Sequence, residues 1–105
     1  MRLKPPTVAE QEWMEAIVRI GCIVCILTKQ GPTPGEVHHM LSGGRKMGHR
    51  WTLCLCPSHH RGGLNNRQIV SRDHSQRRFE ERYWPEIDMH AATERLVAKM
   101  KEAQV

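Results

Sequence analysis

The chain has 105 residues and a mass of 12.2 kDa, which suits one domain. Leu, Ile, Val and Phe together supply 21 of these residues, a fraction at the edge of what a core needs, so we expect a metal, a partner or oligomerisation to add stability. No run of about 18 apolar residues exists, which excludes a transmembrane helix, and the first six residues lack the apolar stretch of a secretory signal. We therefore expect a cytoplasmic protein whose four cysteines are metal ligands rather than disulfide partners.

The net charge of +5 is concentrated in one stretch of the chain. Residues 45–82 hold nine Arg and Lys side chains against three Asp and Glu, whereas the flanking segments are close to neutral. Eight of the nine are Arg, whose planar fork suits phosphate oxygens. Such a stretch is typical either of a solvated face or of a surface that binds a nucleic-acid backbone. The Cys and His residues interleaved with it favour polyanion binding.

The N-terminal part of the chain predicts a loose arm followed by a core helix. The arm spans residues 1–6 and the helix spans residues 7–21. Thr7 and Glu10 have the spacing of a capping box, apolar residues then recur at helical spacing, and Gly21 is a suitable end.

The middle of the chain predicts a knuckle, two strands and two loops. In chain order these are a tight knuckle at 22–25, a strand at 36–40, a flexible basic loop at 42–50, a strand at 51–56 and a Gly-containing loop at 57–66. The two strands are expected to pair as an antiparallel ribbon.

Two helices are predicted at the C-terminal end. The first is capped by Asp73 or Ser75 and runs to Trp84, and Pro85 then ends or kinks it. The second spans residues 88–103. Its apolar stripe consists of Met89, Ala92, Leu96 and Met100.

Four Cys and His residues form two pairs with metal-ligand spacing. The pairs are Cys22-x2-Cys25 and Cys56-x2-His59, and each two-residue gap lets both side chains reach one ion from a tight turn. Thirty residues separate the pairs, so an insertion must project between them. One such pair alone could equally consist of buried thiols without a metal, or of a thiol and a surface His. Two pairs, in a chain with few residues for a hydrophobic core, favour a structural zinc site. Cys54 competes with Cys56, but only Cys56 gives the two-residue gap, so Cys54 is expected to fill apolar space.

Six further histidines lie outside these pairs, namely His38, His39, His49, His60, His74 and His90. A neutral imidazole binds a divalent ion through one nitrogen or takes a proton from water near neutral pH. Neighbouring side chains of a strand point to opposite faces, so one of His38 and His39 can bind an ion while the other addresses the substrate. A single His–His pair is usually an ordinary surface feature, whereas two pairs that flank a zinc-held insertion beside an Arg-rich loop favour an active site. His90 is expected at an exposed helix position.

Together these motifs resemble a known family. They are Cys22-x2-Cys25, Val37-His38-His39-Met40, Leu55-Cys56-x2-His59-His60-Arg61, His74 and Arg78-Phe79-Glu80-Glu81-Arg82-Tyr83. In this order and with these gaps, over residues 20–84, the chain resembles the phage recombination-enhancing, RecA-dependent nucleases. That family belongs to the HNH, or ββα-metal, endonucleases with a zinc knuckle.

The resemblance implies a small zinc-stabilised α+β domain with a two-stranded ribbon and a helix around one catalytic ion. The single domain would span residues 1–105, with its arm at 1–6, a helix at 7–21, the zinc and HNH core at 22–84 and a C-terminal helix at 85–105. It also implies a cytoplasmic location in a bacterial host, with the gene carried by a phage or prophage.

The resemblance also implies roles for individual residues. Cys22, Cys25, Cys56 and His59 would bind the structural Zn²⁺. His39 would act as the general base that activates water, while His38, His60 and His74 would bind the catalytic ion, Mg²⁺ or Mn²⁺. His38 and His39 could exchange roles, because their order follows from the broad superfamily. Apart from the resemblance, the basic character of the loops makes four residues candidates for contacts with backbone phosphates, namely Arg45, Lys46, Arg50 and Arg61.

The chain departs from the family pattern in two places. The middle Asn of the HNH pattern is missing, and His49 is expected either to substitute for it or to contact phosphate. The family's long basic N-terminal extension, linked to RecA, is replaced by about six residues before the first predicted helix. DNA is therefore the expected partner, and a RecA filament the less expected one.

These observations predict a metal-dependent DNA endonuclease with little sequence preference, because phosphate contacts do not read bases. The main alternative is a non-enzymatic zinc-containing module that binds nucleic acid. A third class is a phage adaptor that would use the Met89–Met100 stripe as a docking surface.

Overall fold

A computed structural model describes residues 3–62, 70–73 and 75–103. Within them the elements are α1 (Val8–Ile20), α2 (Ile23–Leu27), β1 (Glu36–His39), β2 (Leu41–Ser42), β3 (Arg45–Lys46), β4 (Thr52–Leu55), α3 (Pro57–His60), α4 (Gln76–Arg82) and α5 (Glu86–Ala103). Helices and two small antiparallel sheets confirm the predicted α+β class. None of the helices in these ranges is long and apolar enough to cross a bilayer.

Helix α1 begins and ends as the sequence predicts. The Thr7 hydroxyl accepts a hydrogen bond from the backbone N–H of Glu10, and the Glu10 carboxylate accepts one from the backbone N–H of Thr7. At the other end Gly21 has φ +99°, and a Cβ there would lie 2.9 Å from the carbonyl oxygen of Thr33. Only glycine suits this position, so the chain turns sharply from α1 towards Cys22.

The ribbon of β1 and β4 forms the centre of the fold. The strands are antiparallel, and His38 lies opposite Leu53 while His39 lies opposite Thr52. Every residue of β4 is buried, since one side of it packs with α1 and the other faces a core that includes Phe79 and Met89. The predicted ribbon is confirmed, and it fixes the two histidines of β1 on a rigid element.

Three segments expected to be irregular contain regular structure. The basic loop holds the β2–β3 hairpin, because Gly43 and Gly44 both adopt positive φ and form the two-residue turn that a hairpin favours. The loop predicted over 57–66 begins instead with α3, since Pro57 suits the first turn of a helix, and its residues from 63 onward lie outside the described ranges. The predicted knuckle forms the start of α2.

The C-terminal helices follow the predicted order. Ser75 caps α4 by accepting a hydrogen bond from the backbone N–H of Arg78, and α5 begins at Glu86, two residues earlier than expected. Met89 and Ala92 are buried, and Leu96 and Met100 are partly buried against the core. The stripe is therefore core, which argues against the adaptor hypothesis that needed it as a docking surface.

The expectation of an exposed His90 is wrong. His90 is only 1% exposed, its ring stacks on Trp51 at 4.6 Å between centroids, and its Nε2 donates a hydrogen bond to the carbonyl oxygen of Arg50 at 2.9 Å. The turn before β4 covers this face of α5, and a helical pattern alone does not reveal a covering segment from elsewhere in the chain.

Candidate functional site

A Cys3His cluster lies where two short helices begin. Cys22 and Cys56 are the N-cap residues of α2 and α3, while Cys25 and His59 lie inside these helices. Each predicted pair therefore spans the first turn of a helix, and all four side chains are buried. The packing brings together residues that are far apart in the chain, as the spacing predicted.

The geometry of this cluster fits a tetrahedral zinc ion. The Sγ atoms of Cys25 and Cys56 lie 3.9 Å apart, and Nδ1 of His59 lies 3.6 Å from Cys22 Sγ, 3.6 Å from Cys25 Sγ and 3.1 Å from Cys56 Sγ. A tetrahedron with Zn–S of about 2.3 Å and Zn–N of about 2.0 Å has S–S edges of about 3.8 Å and S–N edges of about 3.5 Å. The cluster is therefore one that could bind zinc.

Burial affects the ionisation of the cluster. Burial raises the pKa of the Cys22 thiol and that of Cys25, and it lowers the pKa of His59. The thiols of Cys22 and Cys25 are therefore protonated without a metal, and a bound zinc would have to displace those protons.

Cys54 lies apart from the cluster. It is buried against Trp13 and Ile17 of α1, and burial raises the pKa of its thiol to about 11. Although Cys54 and Cys56 are only two residues apart, β4 ends at Leu55 and the chain turns into α3. The two thiols therefore belong to different parts of the core.

A second group of possible metal ligands consists of His38, His60 and Asp73. Each offers one ligand atom, and these atoms lie within 4.8 Å of one another. The rings of His38 and His60 are 5.1 Å apart between centroids, and Nε2 of His60 lies 3.8 Å from Oδ1 of Asp73. One histidine of each His–His pair thus meets the other here, while His59 joins the Cys3His cluster. His74, which we expected in this group, lies outside the described residues.

Two glutamates contact the histidines of this second group. Nδ1 of His60 donates a hydrogen bond to Glu36 at 2.7 Å, so in the neutral ring Nε2 keeps its lone pair on the side of Asp73. Nε2 of His38 is buried and lies 3.4 Å from Oε1 of Glu86, but it makes no well-aligned hydrogen bond among the described residues. Glu36 is therefore placed as the carboxylates that orient metal-binding imidazoles are, on the ring nitrogen of His60 that faces away from Asp73.

The pKa values of both glutamates are lowered. Burial alone would raise the pKa of Glu86, but the neighbouring His38 and Arg72 side chains outweigh this effect. Burial would likewise raise the pKa of Glu36, but hydrogen bonds from His60 and Arg61 outweigh this effect. Both side chains are therefore anionic at neutral pH, and each contacts a histidine of the second group.

Sequence reasoning missed Asp73, Glu36 and Glu86 as members of this group. Asp73 was considered only as a helix cap, although a carboxylate next to a histidine is itself a pattern typical of metal sites. No spacing rule connects either glutamate to a histidine, because the contacts of Glu36 with His60 and of Glu86 with His38 form only through tertiary packing.

His39 faces the other side of the ribbon. Its Nε2 lies 3.0 Å from Nδ1 of His49, and Nε2 of His49 lies 2.7 Å from the carbonyl oxygen of Lys4. The arm predicted to be loose therefore contacts the site at Lys4. These residues line a cleft of about 840 Å³, together with Leu3, Leu41, Gly44, Arg45 and Lys46. The pKa of His39 is lowered by burial first and then by the charges of Lys46, His49 and His38.

The four basic residues expected to contact phosphate fall into two groups. Arg45 and Lys46 are exposed on the hairpin and line the cleft of His39. Arg61 donates two hydrogen bonds to Glu36, at 2.7 and 2.9 Å. The guanidinium carbon of Arg50 lies 3.6 Å from the centroid of the Trp13 ring, and its Nη2 lies 3.4 Å from a carboxylate oxygen of Glu94. Arg50 and Arg61 are thus engaged within the protein.

Helices packed on small antiparallel sheets, with a buried Cys3His cluster, define a small α+β protein that zinc could stabilise. The family model described as "Recombination enhancement, RecA-dependent nuclease" matches residues 6–98, and the chain belongs to this family. A comparison with curated proteins found no match. The family description is that of a nuclease acting in recombination, so the predicted family is confirmed and hydrolysis of nucleic acid is the activity that its name implies. The match extends the predicted segment of 20–84 to α1 and most of α5.

Proposed function

We propose that the protein is a DNA endonuclease of the HNH type, with zinc in the Cys3His cluster and a catalytic divalent ion at His38, His60 and Asp73. The observation that carries this proposal is the meeting of the two His–His pairs. His38 on β1 and His60 on α3 offer ligand atoms within 4.8 Å of each other and of Asp73, although the chain between them runs through the whole hairpin. A module that only bound nucleic acid would have no use for this arrangement.

The donor set of the second group suits a divalent ion. Two imidazoles and one carboxylate bind Mn²⁺, Ni²⁺ or Zn²⁺ and also accept Mg²⁺. His38 brings a buried nitrogen without a well-aligned partner among the described residues, and such an atom is costly unless something binds it. When bound, the ion would neutralise charge on the phosphate and on the leaving 3′ oxygen.

The environments of His38 and His39 support different roles for the two residues. His38 is 6% exposed and lies beside His60, which suits a metal ligand. His39 is less buried and faces the cleft, and its lowered pKa keeps the imidazole uncharged at neutral pH. An uncharged imidazole can take the proton of the attacking water, so we assign the general base to His39.

The hairpin is the part of the structure best suited to hold DNA. Arg45 and Lys46 line the cleft of His39, and neither forms an ion pair within the described ranges. Contacts with the phosphate backbone would position DNA without reading its sequence, which supports cleavage with little sequence preference. Arg50 and Arg61 would need to leave Glu94 and Glu36 before they could contact phosphate.

A plasmid-nicking assay tests the proposal. The purified chain is incubated with supercoiled DNA with and without added Mn²⁺ or Mg²⁺, and with and without RecA filaments, since the family name makes RecA the partner to include. We expect metal-dependent cleavage that His60→Ala and Asp73→Asn abolish without a change in zinc content. Asp88→Asn, on the exposed first turn of α5, is the matched control and should cleave normally. DNA binding without cleavage would favour the zinc-containing binding module instead.

A further inference from the structure

The ring nitrogens of His39 and His49 form a chain of hydrogen bonds whose direction can be deduced. The carbonyl oxygen of Lys4 only accepts hydrogen bonds, so Nε2 of His49 must carry the proton in their 2.7 Å contact. In a neutral imidazole the other nitrogen then has the lone pair. Nδ1 of His49 therefore accepts, and Nε2 of His39 donates across 3.0 Å. The nitrogen of His39 that is left with a lone pair is Nδ1.

We propose that His49, held by the backbone carbonyl of Lys4, is a positioning residue that fixes the proton of His39 on Nε2 and leaves Nδ1 to accept a proton. This inference rests on the proposed function, in which His39 is the general base. A general base works only from its unprotonated nitrogen, and a hydrogen bond at the other nitrogen decides which one that is.

The surroundings of His49 show that its position is fixed by the core. Gly48 has φ +124°, a conformation that suits glycine, and it sets the turn that presents His49. The hydroxyl of Thr52 donates a hydrogen bond to the carbonyl oxygen of His49 at 3.0 Å and accepts one from Nε1 of Trp13 at 2.9 Å. Thr52 is also the residue paired with His39 in the ribbon. It therefore helps to position both partners of the hydrogen bond between His39 and His49.

The alternative role for His49, a contact with phosphate, is less compatible with this geometry. Both ring nitrogens of His49 are already engaged, one by His39 and the other by Lys4. A phosphate would have to displace one of these partners. Arg45 and Lys46, exposed on the same cleft, can bind phosphate at no such cost.

Two substitutions separate the acceptor from the donor of His49. In His49→Asn the side-chain oxygen is two bonds from Cβ, as Nδ1 is, so it can still accept from His39. In His49→Gln the amide nitrogen is three bonds from Cβ, as Nε2 is, so it can still donate to Lys4, but the acceptor for His39 is lost. The two variants are thus matched in polarity, and they differ in whether the side chain can accept the hydrogen bond from His39.

The test combines kinetics with nitrogen NMR of the histidine rings in the full-length chain. We expect the proton of His39 on Nε2 in the wild type and in His49→Asn, and a mixture of tautomers in His49→Gln. We expect kcat to fall about 10- to 100-fold in His49→Gln, the range found when an orienting partner is lost, with KM for DNA unchanged and with His49→Asn close to the wild type.

Three results would overturn the inference. These are a proton on Nδ1 of His39 in the wild type, a doubly protonated His49, or equal kcat in the two variants. If His49→Gln does not fold, the wild-type spectrum still decides between the tautomers. A wild type that shows the expected tautomer but does not cleave DNA would refute the proposed function and would confirm the hydrogen-bond chain, so the two failures are distinguishable.

Discussion

The change of Cys56 to Ser tests the zinc cluster, and Cys54→Ser is its matched control. Both cysteines are buried, with exposed fractions of 5% for Cys56 and 1% for Cys54, and they lie two residues apart, Cys54 in β4 and Cys56 directly after it. The Sγ atom of Cys56 lies 3.9 Å from that of Cys25 and 3.1 Å from Nδ1 of His59, whereas Cys54 packs with residues of α1. The same substitution is thus made once inside the cluster and once outside it.

The expected magnitudes differ widely between the two variants. A structural zinc contributes an apparent free energy of about 10–16 kcal/mol near neutral pH, and the net stability of a domain of this length is on the order of 5–15 kcal/mol. Loss of the ion therefore removes a free energy comparable with the whole net stability. A buried hydroxyl without a good partner costs only about 1–3 kcal/mol. We expect Cys56→Ser to lose zinc and unfold, and Cys54→Ser to keep zinc and remain folded.

Two measurements decide the outcome. Zinc content is measured by atomic absorption after dialysis against a weak chelator, and the free energy of unfolding is measured by urea titration followed by circular dichroism. A wild type without zinc, or a Cys56→Ser variant as stable as Cys54→Ser, would refute the assignment of the cluster as a zinc site.

Three further predictions concern the catalytic face and the ribbon. His39→Ala should abolish cleavage but leave the urea midpoint and the Kd for DNA close to those of the wild type, and full activity would remove His39 as the general base. Replacing both Arg45 and Lys46 with Gln should reduce the slope of log Kd for DNA against log salt concentration by about 2, since each phosphate contact contributes about 0.9. The control Arg77→Gln, on the exposed side of α4, should not change this slope. Gly35→Ala should lower the free energy of unfolding by about 1–3 kcal/mol, because the added Cβ would lie 2.8 Å from a backbone oxygen of β4. An unchanged Tm would contradict this packing argument.

Local signals were sufficient to predict much of the fold. Thr7 and Glu10 have the reciprocal spacing of a capping box, and the hydrogen bonds of α1 follow from it. The two-residue gap between Cys56 and His59 equals the first turn of α3, so the members of the Cys3His cluster were predictable from spacing alone. In the capping box and within each Cys or His pair the residues are neighbours in the chain, where geometry depends on only a few backbone angles.

The parts that were missed depend on tertiary packing. Glu86 lies beside His38 because α5 packs against the ribbon at β4, and Asp73 reaches His60 from the segment before α4. His90 is buried by the turn that precedes β4. The β2–β3 hairpin is different, because its Gly43-Gly44 pair is a hairpin signal that was already present in the sequence.

The most direct test of the central claim is a crystal structure of the chain soaked in Mn²⁺, with anomalous scattering used to distinguish the metals. We predict a zinc ion between the Cys3His side chains and a manganese ion bound by His38, His60 and Asp73. Manganese bound elsewhere, or a refined structure in which these three side chains point away from one another, would contradict the proposed catalytic site.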